Sequence, residues 1–183
     1  MICRRYFKGA QFMERVSGKG LVAVVTGANS GIGLETVRGL NLAKVKVYML
    51  CRDEERGSEA KIKLAQMGCD STRLILVRCD LADFSSVREC AKEILKAEDK
   101  LDILINNAGV MFYPKYEKTV DGHEMTWQSN HLEFLRIPAR PNDPHVLNIL
   151  ITCKYGEVKE NTAFSGYFEL IMVHNTQKQS QEH

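Results

Sequence analysis

The chain has 183 residues, of which 44% are hydrophobic and 26% charged, and its formal net charge is +2. This is the composition of an ordinary globular protein, and it excludes a disordered chain, a collagen-like repeat and a disulfide-rich miniprotein. The net charge is too small to indicate a nucleic-acid partner. No apolar run reaches the roughly 18 residues of a membrane-spanning helix. The basic N-terminus, residues 1–8, lacks the apolar stretch of a secretory signal.

The six cysteines show no spacing that is typical of a metal site. None forms a Cys-x-x-Cys pair, and no cysteine–histidine spacing matches a zinc site. Cys51 and Cys79 fall in strand-like segments and Cys90 in a helix-like one, where cysteine behaves as a small hydrophobic residue. We therefore expect no metal, and we expect an intracellular, cytoplasmic protein in a reducing compartment.

Residues 21–135 alternate short apolar runs with segments of helical periodicity. Apolar runs of this length are typical of strands that are buried on both faces. The predicted strands are Leu21–Val25, Val45–Leu50, Leu74–Val77 and Leu101–Ile105. The predicted helices are Gly31–Leu42, Asp53–Met67 and Ser86–Lys96, the last with Ser86 and Glu89 at capping-box spacing. This alternation predicts right-handed βαβ units and a parallel sheet.

The regular pattern ends near residue 135. Three of the four prolines fall within residues 138–144, and a helix cannot run through them. Val146–Thr152 is a candidate for one more strand, and the last residues are polar. We expect an N-terminal segment (1–20), a partial nucleotide-binding domain (21–135) and a divergent, poorly ordered tail (136–183).

A glycine loop lies between the first strand and the first helix. It reads Thr26-Gly27-Ala28-Asn29-Ser30-Gly31-Ile32-Gly33. The first glycine permits a tight turn, the second lets the backbone approach a pyrophosphate, and the third lets the helix pack closely on the strand. The helix N-terminus then offers unpaired N–H groups to the phosphates. We therefore predict cofactor-binding roles for Gly27, Ser30, Gly31, Ile32 and Gly33, against the alternative of a glycine-rich turn with no ligand.

Further motifs follow in order, namely Cys79-Asp80-Leu81, Asn106-Asn107-Ala108-Gly109 and Asn130. Together with the glycine loop, they resemble the short-chain dehydrogenase/reductase family. The segments Leu50–Asp53, Asp121–Met125 and Ser129–Leu132 resemble its retinol-dehydrogenase-like branch. Arg4–Gly9 resembles the segment that follows the membrane anchor in that branch, and we expect the anchor itself to be absent. The resemblance covers residues 4–135 and implies an incomplete doubly wound Rossmann fold of strand order 3-2-1-4, followed by an irregular C-terminal tail.

The resemblance also implies an activity and a set of site residues. The activity is hydride transfer between NADPH and an aldehyde or ketone, or the reverse, with a retinoid or another apolar molecule as substrate. Asp80 and Leu81 would line the adenine pocket, and Asn130 would help to hold a proton-relay water. The residues expected to pass under the ribose on the nicotinamide side are Asn106, Ala108 and Gly109.

The residues after the second strand bear on the choice of dinucleotide. Asp53 lies at the spacing of an acid that accepts the ribose 2′-hydroxyl of NAD. However, Cys51 stands at the strand end, where NAD-binding members of the family carry the acid, and Asp53 suits the N-cap of the next helix. Arg52 follows, and a guanidinium there suits the 2′-phosphate of NADP. We therefore predict a preference for NADP(H) over NAD(H).

The catalytic residues of the family have no clear counterpart here. Family members carry a serine and then a helical Tyr-x-x-x-Lys, in which the tyrosine is the general acid/base. Tyr155 and Lys159 have this spacing, but Gly156 disfavours a helix. We interpret the pair as a chance match and expect a truncated form. Three hypotheses remain: an active reductase that uses this pair, a dinucleotide-binding or interaction module without catalysis, and an unstable fragment.

Overall fold

The computed structural model describes residues 16–110, 115–132, 147–155 and 166–174. The strands in these ranges are β1 (Val22–Thr26), β2 (Lys46–Cys51), β3 (Leu74–Arg78), β4 (Ile103–Asn106), β5 (Leu147–Tyr155) and β6 (Gly166–His174). The helices are α1 (Gly31–Leu42), α2 (Glu54–Gln66), α3 (Phe84–Ala97) and the short α4 (Met125–Trp127), which continues as a π-helical turn, Gln128–Leu132. One sheet contains all six strands, in the order β3-β2-β1-β4-β5-β6. The pairs from β3 to β5 are parallel, and β6 runs antiparallel to β5.

The helices cover both faces of the sheet. Successive side chains of a strand point to opposite faces, and every residue of β1 is buried. Ala23 and Val25 belong to a core that includes residues of α1 and α2. Val22 and Val24 belong to a second core, which includes residues of α3. The described residues therefore form a doubly wound, Rossmann-like α/β fold, as the sequence predicts.

The parallel register brings the carboxyl ends of the strands to one edge. Thr26, at the end of β1, pairs with Leu50, and Cys51 pairs with Arg78 at the end of β3. The loops that follow β1, β2, β3 and β4 therefore lie side by side above this edge. Ligands of open α/β sheets bind at this position.

A polar cluster joins α3 to β2 at the opposite edge. The Tyr48 hydroxyl donates to Glu98 Oε1 at 2.5 Å, and Lys46 forms an ion pair with the same carboxylate. Burial by itself would raise the pKa of Glu98, but the hydrogen bonds from Lys46 and Tyr48 outweigh it and lower that pKa. The cluster therefore stabilises the folded chain more when Glu98 is ionised than when it is protonated.

The helix and strand predictions are confirmed over residues 21–106, with one error of capping. Helix α1 has the predicted bounds, and the strand order 3-2-1-4 is present. Helix α3 begins two residues before the predicted Ser86, because Asp83 is its N-cap and accepts the Ser85 N–H at 2.8 Å. Ser86 Oγ instead accepts the Asp80 N–H at 3.0 Å. The predicted capping box of Ser86 and Glu89 is therefore wrong, since aspartate at position 83 supplies the cap.

Two strands lie in the segment that was predicted to be an irregular tail. The candidate strand Val146–Thr152 corresponds to β5, which covers β4 in a parallel register with Asn106 opposite Leu150. Strand β6 adds nine antiparallel pairs to β5, and the sequence pattern does not predict it. The run Gly166–His174 has no strict alternation of polar and apolar residues, so periodicity does not identify it. The proline segment 138–144 and the basic residues Arg4–Lys8 lie outside the described residues.

Candidate functional site

A cavity of about 410 Å³ opens at the carboxyl edge of the sheet. Its walls come from the glycine loop, from the loops after β2, β3 and β4, and from α4. The lining residues are Thr26, Gly27, Asn29, Ser30, Leu50, Cys51, Arg52, Asp53, Arg56, Cys79, Asp80, Leu81, Ala82, Ala108, Gly109, Val110, Met125 and Ser129.

The glycine loop packs tightly on one side and leaves space on the other. A Cβ on Gly33 would lie 2.3 Å from the Gly27 carbonyl oxygen, and a Cβ on Gly27 would lie 3.0 Å from Ala108. Gly31 has a φ of +54°, which favours glycine, and a Cβ there would meet nothing within 4 Å. Two of the glycines are therefore required for packing, whereas the third borders open space.

The N-terminus of α1 is left without a side-chain cap. Ser30, its N-cap residue, makes no capping hydrogen bond, and the first turn holds no acidic residue. By contrast, Asp53 caps α2 and Asp83 caps α3. The first N–H groups of a helix need a partner and carry a partial positive charge. Beside the cavity, the open end of α1 and the space at Gly31 fit the pyrophosphate of a dinucleotide.

The loop after β4 is tied to the glycine loop through Thr26. The Thr26 hydroxyl accepts the N–H groups of Asn107 at 3.0 Å and Ala108 at 2.9 Å. In return, Asn107 Nδ2 donates to the carbonyl oxygens of Thr26 at 2.9 Å and Gly27 at 3.3 Å. These four bonds fix the floor of the cavity.

Asn130 holds the far end of the same loop. Its Oδ1 accepts the Val110 N–H at 2.8 Å, and its Nδ2 donates to the Val110 carbonyl at 3.0 Å. The side chain lies close to Gly109, where a Cβ would be 3.3 Å from Asn130 Oδ1. Asn130 belongs to a π-helical turn, a feature that is frequent at functional sites. It shapes the cavity through Val110 and does not line the cavity itself.

The two charged residues that follow β2, Arg52 and Asp53, differ in their contacts. Asp53 is already engaged, since Oδ1 accepts the Arg56 N–H at 3.1 Å and Oδ2 lies 3.6 Å from Arg56 Nε. Its predicted role as N-cap of α2 is confirmed. Arg52 is exposed and lines the cavity, and within the part of the chain that the structure describes it has no hydrogen-bond or ion-pair partner. A guanidinium is therefore available to an anion at this end of the cavity.

Two thiols lie in the wall between β2 and β3. Burial raises the pKa of Cys51 to about 11, and a hydrogen bond with Cys90, together with burial, raises the pKa of Cys79. Both groups therefore stay neutral at pH 7, and Cys51 gives this wall no negative charge. The two thiols therefore add no negative charge beside Arg52.

The cavity gathers more than half of the residues that were predicted to bind the cofactor. Those that line it are Gly27, Ser30, Arg52, Asp80, Leu81, Ala108 and Gly109. The other four, Gly31, Ile32, Gly33 and Asn106, are not among the lining residues. The strand-end rule could have identified Thr26, Leu50 and Cys79, which stand where β1, β2 and β3 end. Met125 comes from α4 and Ser129 from the π-helical turn that follows it, and no local pattern predicts their position at the cavity.

Tyr155, the first residue of the predicted chance match with Lys159, lies in a strand and not in a helix. Tyr155 is the last residue of β5, where it pairs with Gly166, and Lys159 lies outside the described residues. Leu150 is the β5 residue opposite the end of β4. At roughly 3.3 Å per residue, the strand places Tyr155 about 16 Å beyond Leu150.

In the described ranges, no group of three or more His, Cys, Asp or Glu side chains is placed to hold a metal ion. Among the helices of the same ranges, none is long and apolar enough to cross a membrane.

A doubly wound parallel sheet with a glycine loop at its carboxyl edge defines a Rossmann-type domain. Residues 21–131 match the model of the short chain dehydrogenase family, and the chain belongs to that family.

Retinol dehydrogenases are among its relatives. Retinol dehydrogenase 12 of Mus musculus is 42% identical over 129 residues, and retinol dehydrogenase 11 of the same species is 46% identical over 129 residues. Each alignment covers 70% of this chain and 40% of the relative, so the chain spans about 40% of the length of these proteins. A solved NADP active-site complex of RhlG from Pseudomonas aeruginosa is 30% identical with a TM-score of 0.53, covering 65% of this chain and 45% of that one.

Proposed function

We propose that this chain binds NADP(H) in the cavity at the carboxyl edge of the sheet. The observation that carries the proposal is the uncapped N-terminus of α1 beside the open space at Gly31. By contrast, the N-termini of α2 and α3 are closed by the side chains of Asp53 and Asp83. The chain would be the cofactor-binding part of an oxidoreductase that interconverts alcohols and carbonyl compounds. The retinol dehydrogenases among its relatives support an apolar substrate of the retinoid kind.

The preference for NADP(H) over NAD(H) rests on Arg52. The 2′-phosphate distinguishes the two cofactors, and a guanidinium binds it through charge-assisted hydrogen bonds. Arg52 is exposed at the cavity, whereas the neighbouring carboxylate of Asp53 is occupied by Arg56 and by the start of α2. The NADP complex of the related protein RhlG supports the same choice.

The residues of the chain have separate tasks in this proposal. The nicotinamide cofactor would supply the hydride chemistry. The N–H groups at the start of α1 bind the pyrophosphate, and Asp80 and Leu81 form the wall of the adenine pocket. Asn106, Ala108 and Gly109 carry the backbone under the nicotinamide-side ribose, and the Thr26 bonds keep Ala108 in place.

We propose further that these 183 residues bind the cofactor without turnover. Reduction of a carbonyl leaves an alkoxide that must receive a proton, and a tyrosine with a free pKa of about 10 needs a nearby cation to supply it at neutral pH. Tyr155 is the last residue of strand β5, whereas a Tyr-x-x-x-Lys pair needs a helix to bring its two side chains onto one face. Binding without turnover distinguishes this proposal from an active reductase and from an unstable fragment.

The proposal also includes a location and a partner class. The four cysteines in the described ranges, Cys51, Cys69, Cys79 and Cys90, are free thiols, which supports a reducing, intracellular compartment. Besides the dinucleotide, the partner is an apolar aldehyde or alcohol that requires the rest of the catalytic machinery.

The variant Arg52→Ala tests the cofactor preference. Loss of a charge-assisted contact costs about 1.5–3 kcal/mol, so NADPH should bind about 10-fold or more weaker while NADH binding stays unchanged. Arg88→Ala is the matched control, because Arg88 is exposed on α3 and lies outside the cavity lining. Isothermal titration of both variants with both cofactors gives the four affinities. Equal losses of NADPH and NADH binding in Arg52→Ala would contradict the assignment.

A further inference from the structure

A buried polar network connects α4 to the loop after β3. Its centre is Gln128, whose side chain is fully buried. Gln128 Nε2 donates to Asp121 Oδ2 at 2.8 Å and to the Leu81 carbonyl at 3.4 Å. Gln128 Oε1 accepts from the Thr119 hydroxyl at 2.6 Å. Every polar atom of this buried amide therefore has a partner, as buried amides require.

The chemistry of the partners fixes the orientation of the Gln128 amide. A carboxylate and a carbonyl can only accept, so the NH₂ group must face Asp121 and Leu81. The oxygen is then left to Thr119, whose hydroxyl must donate while it accepts the His123 N–H at 3.3 Å. The network consequently has one arrangement of donors, and an apolar side chain at position 128 would leave its partners unpaired.

Asp121 carries the network to the start of α3. The same Oδ2 that accepts from Gln128 also accepts the Phe84 N–H at 2.9 Å, across 37 positions of the sequence. Phe84 is the first residue of α3, and its ring lies 5.6 Å from the ring of His123. Two contacts therefore attach the turn that contains Asp121 to the end of the loop that forms the cavity wall.

The loop before α3 is held by short-range hydrogen bonds, including one from the Asp83 N–H to the Asp80 carbonyl at 3.2 Å. Asp80 Oδ1 accepts the Ala82 N–H at 3.0 Å, and the Asp80 N–H is held by Ser86 Oγ at 3.0 Å. These bonds shape the loop from within. The Leu81 carbonyl is held from outside by Gln128, whose neighbours Met125 and Ser129 line the cavity.

We infer that Gln128 is a positioning residue for the adenine end of the cofactor, acting with Asp121 on the Asp80–Ala82 wall. This inference rests on the proposed function, since that wall is assigned to the adenine pocket there. Gln128 does not line the cavity, so its effect on binding passes through the loop. It links the segment that carries Asn130 to the adenosine half of the site.

Affinity for 2′,5′-ADP, the adenosine half of NADP, tests the inference when Gln128→Leu is compared with a second variant that also loses stability. Gln128→Leu keeps the size of the side chain and removes its hydrogen bonds, and we expect a roughly 10-fold weaker affinity for 2′,5′-ADP. Val37→Ala, in the core on the other face of the sheet, is the control for a loss of stability without a change in the network. The 2′,5′-ADP affinity of each variant is measured together with its free energy of unfolding in urea. Val37→Ala should retain the wild-type affinity.

A second measurement separates this inference from the proposed function. Hydrogen exchange of the peptide covering residues 80–88, without ligand, should be faster in Gln128→Leu than in Val37→Ala. If wild-type chain fails to bind NADPH but shows this difference, the proposed function fails while the loop-positioning role stands. If Gln128→Leu does not fold, Thr119→Val takes its place, with a smaller loss of affinity expected in the same direction. Unchanged 2′,5′-ADP affinity, or a loss no larger than that of Val37→Ala, overturns the inference.

Discussion

Replacing Gly33 by alanine tests the contact on which the glycine loop is built. The new Cβ would lie 2.3 Å from the Gly27 carbonyl oxygen and 2.5 Å from Asn107 Nδ2. Ordinary van der Waals contact begins near 3.4 Å, so the Gly27 carbonyl must move by about 1 Å. Because the obstacle is backbone, a rotamer change cannot relieve it. Overpacking of this kind costs about 1–3 kcal/mol, which is the expected loss in the free energy of unfolding.

The same displacement should weaken cofactor binding. Asn107 Nδ2 donates to the carbonyls of Thr26 and Gly27, so a shift of Gly27 disturbs the bonds that join the β4 loop to the glycine loop. We expect NADPH affinity to fall along with stability. Urea unfolding, followed by circular dichroism, gives the first quantity, and isothermal titration gives the second.

Gly39→Ala is the matched control in the same helix. Gly39 is exposed, and a Cβ there meets nothing within 4 Å. Alanine is favoured over glycine in a helix interior by about 0.5–1 kcal/mol, so this variant should be more stable than the wild type. If Gly33→Ala proves as stable as the wild type while Gly39→Ala gains stability, the argument from the Gly27 contact is refuted.

Three further predictions concern a pH dependence, a loop and turnover. The lowered pKa of Glu98 stabilises the folded chain above the ordinary carboxyl pKa of about 4.3, and this stabilisation is lost as the pH falls. Glu98→Gln should therefore lower the free energy of unfolding by about 1 kcal/mol at pH 7 and make its decline below pH 5 less steep. An unchanged decline with pH would count against the Tyr48–Glu98 contact. Asn130→Ala leaves both backbone groups of Val110 without their partner, and calorimetry should report a loss of about 1–3 kcal/mol; no loss would mean that the pairing contributes nothing. Neither the wild type nor Tyr155→Phe should oxidise NADPH with retinal, and turnover that disappears in Tyr155→Phe would make Tyr155 catalytic.

The fold up to β4 was predictable because local patterns and the global fold agree there. Apolar runs mark the strands, and the glycine loop marks the start of α1 at its observed first residue, Gly31. The same local logic failed at Ser86, where two residues compete for the cap of α3 and Asp83 takes it. Strand β6 was not predictable, because its place depends on pairing with β5 and not on its own periodicity.

The sequence predicted only part of the candidate site. Motifs in the loops after β1, β3 and β4 identify residues such as Gly27, Asp80 and Ala108, because each loop carries its own sequence signature. The contributions of Gln128 and Asp121 depend on contacts that span 37 to 47 positions of the chain. No spacing rule connects such positions, so their role becomes clear only in three dimensions.

The central claim is that the chain binds NADP(H) at the open end of α1, with Arg52 setting the preference. The most direct measurement is isothermal titration of the 183-residue chain with NADPH and, separately, with NADH. The account predicts saturable binding at one site per chain, with NADPH about 10-fold or more tighter than NADH. Binding of neither dinucleotide, or equal affinity for both, would contradict it.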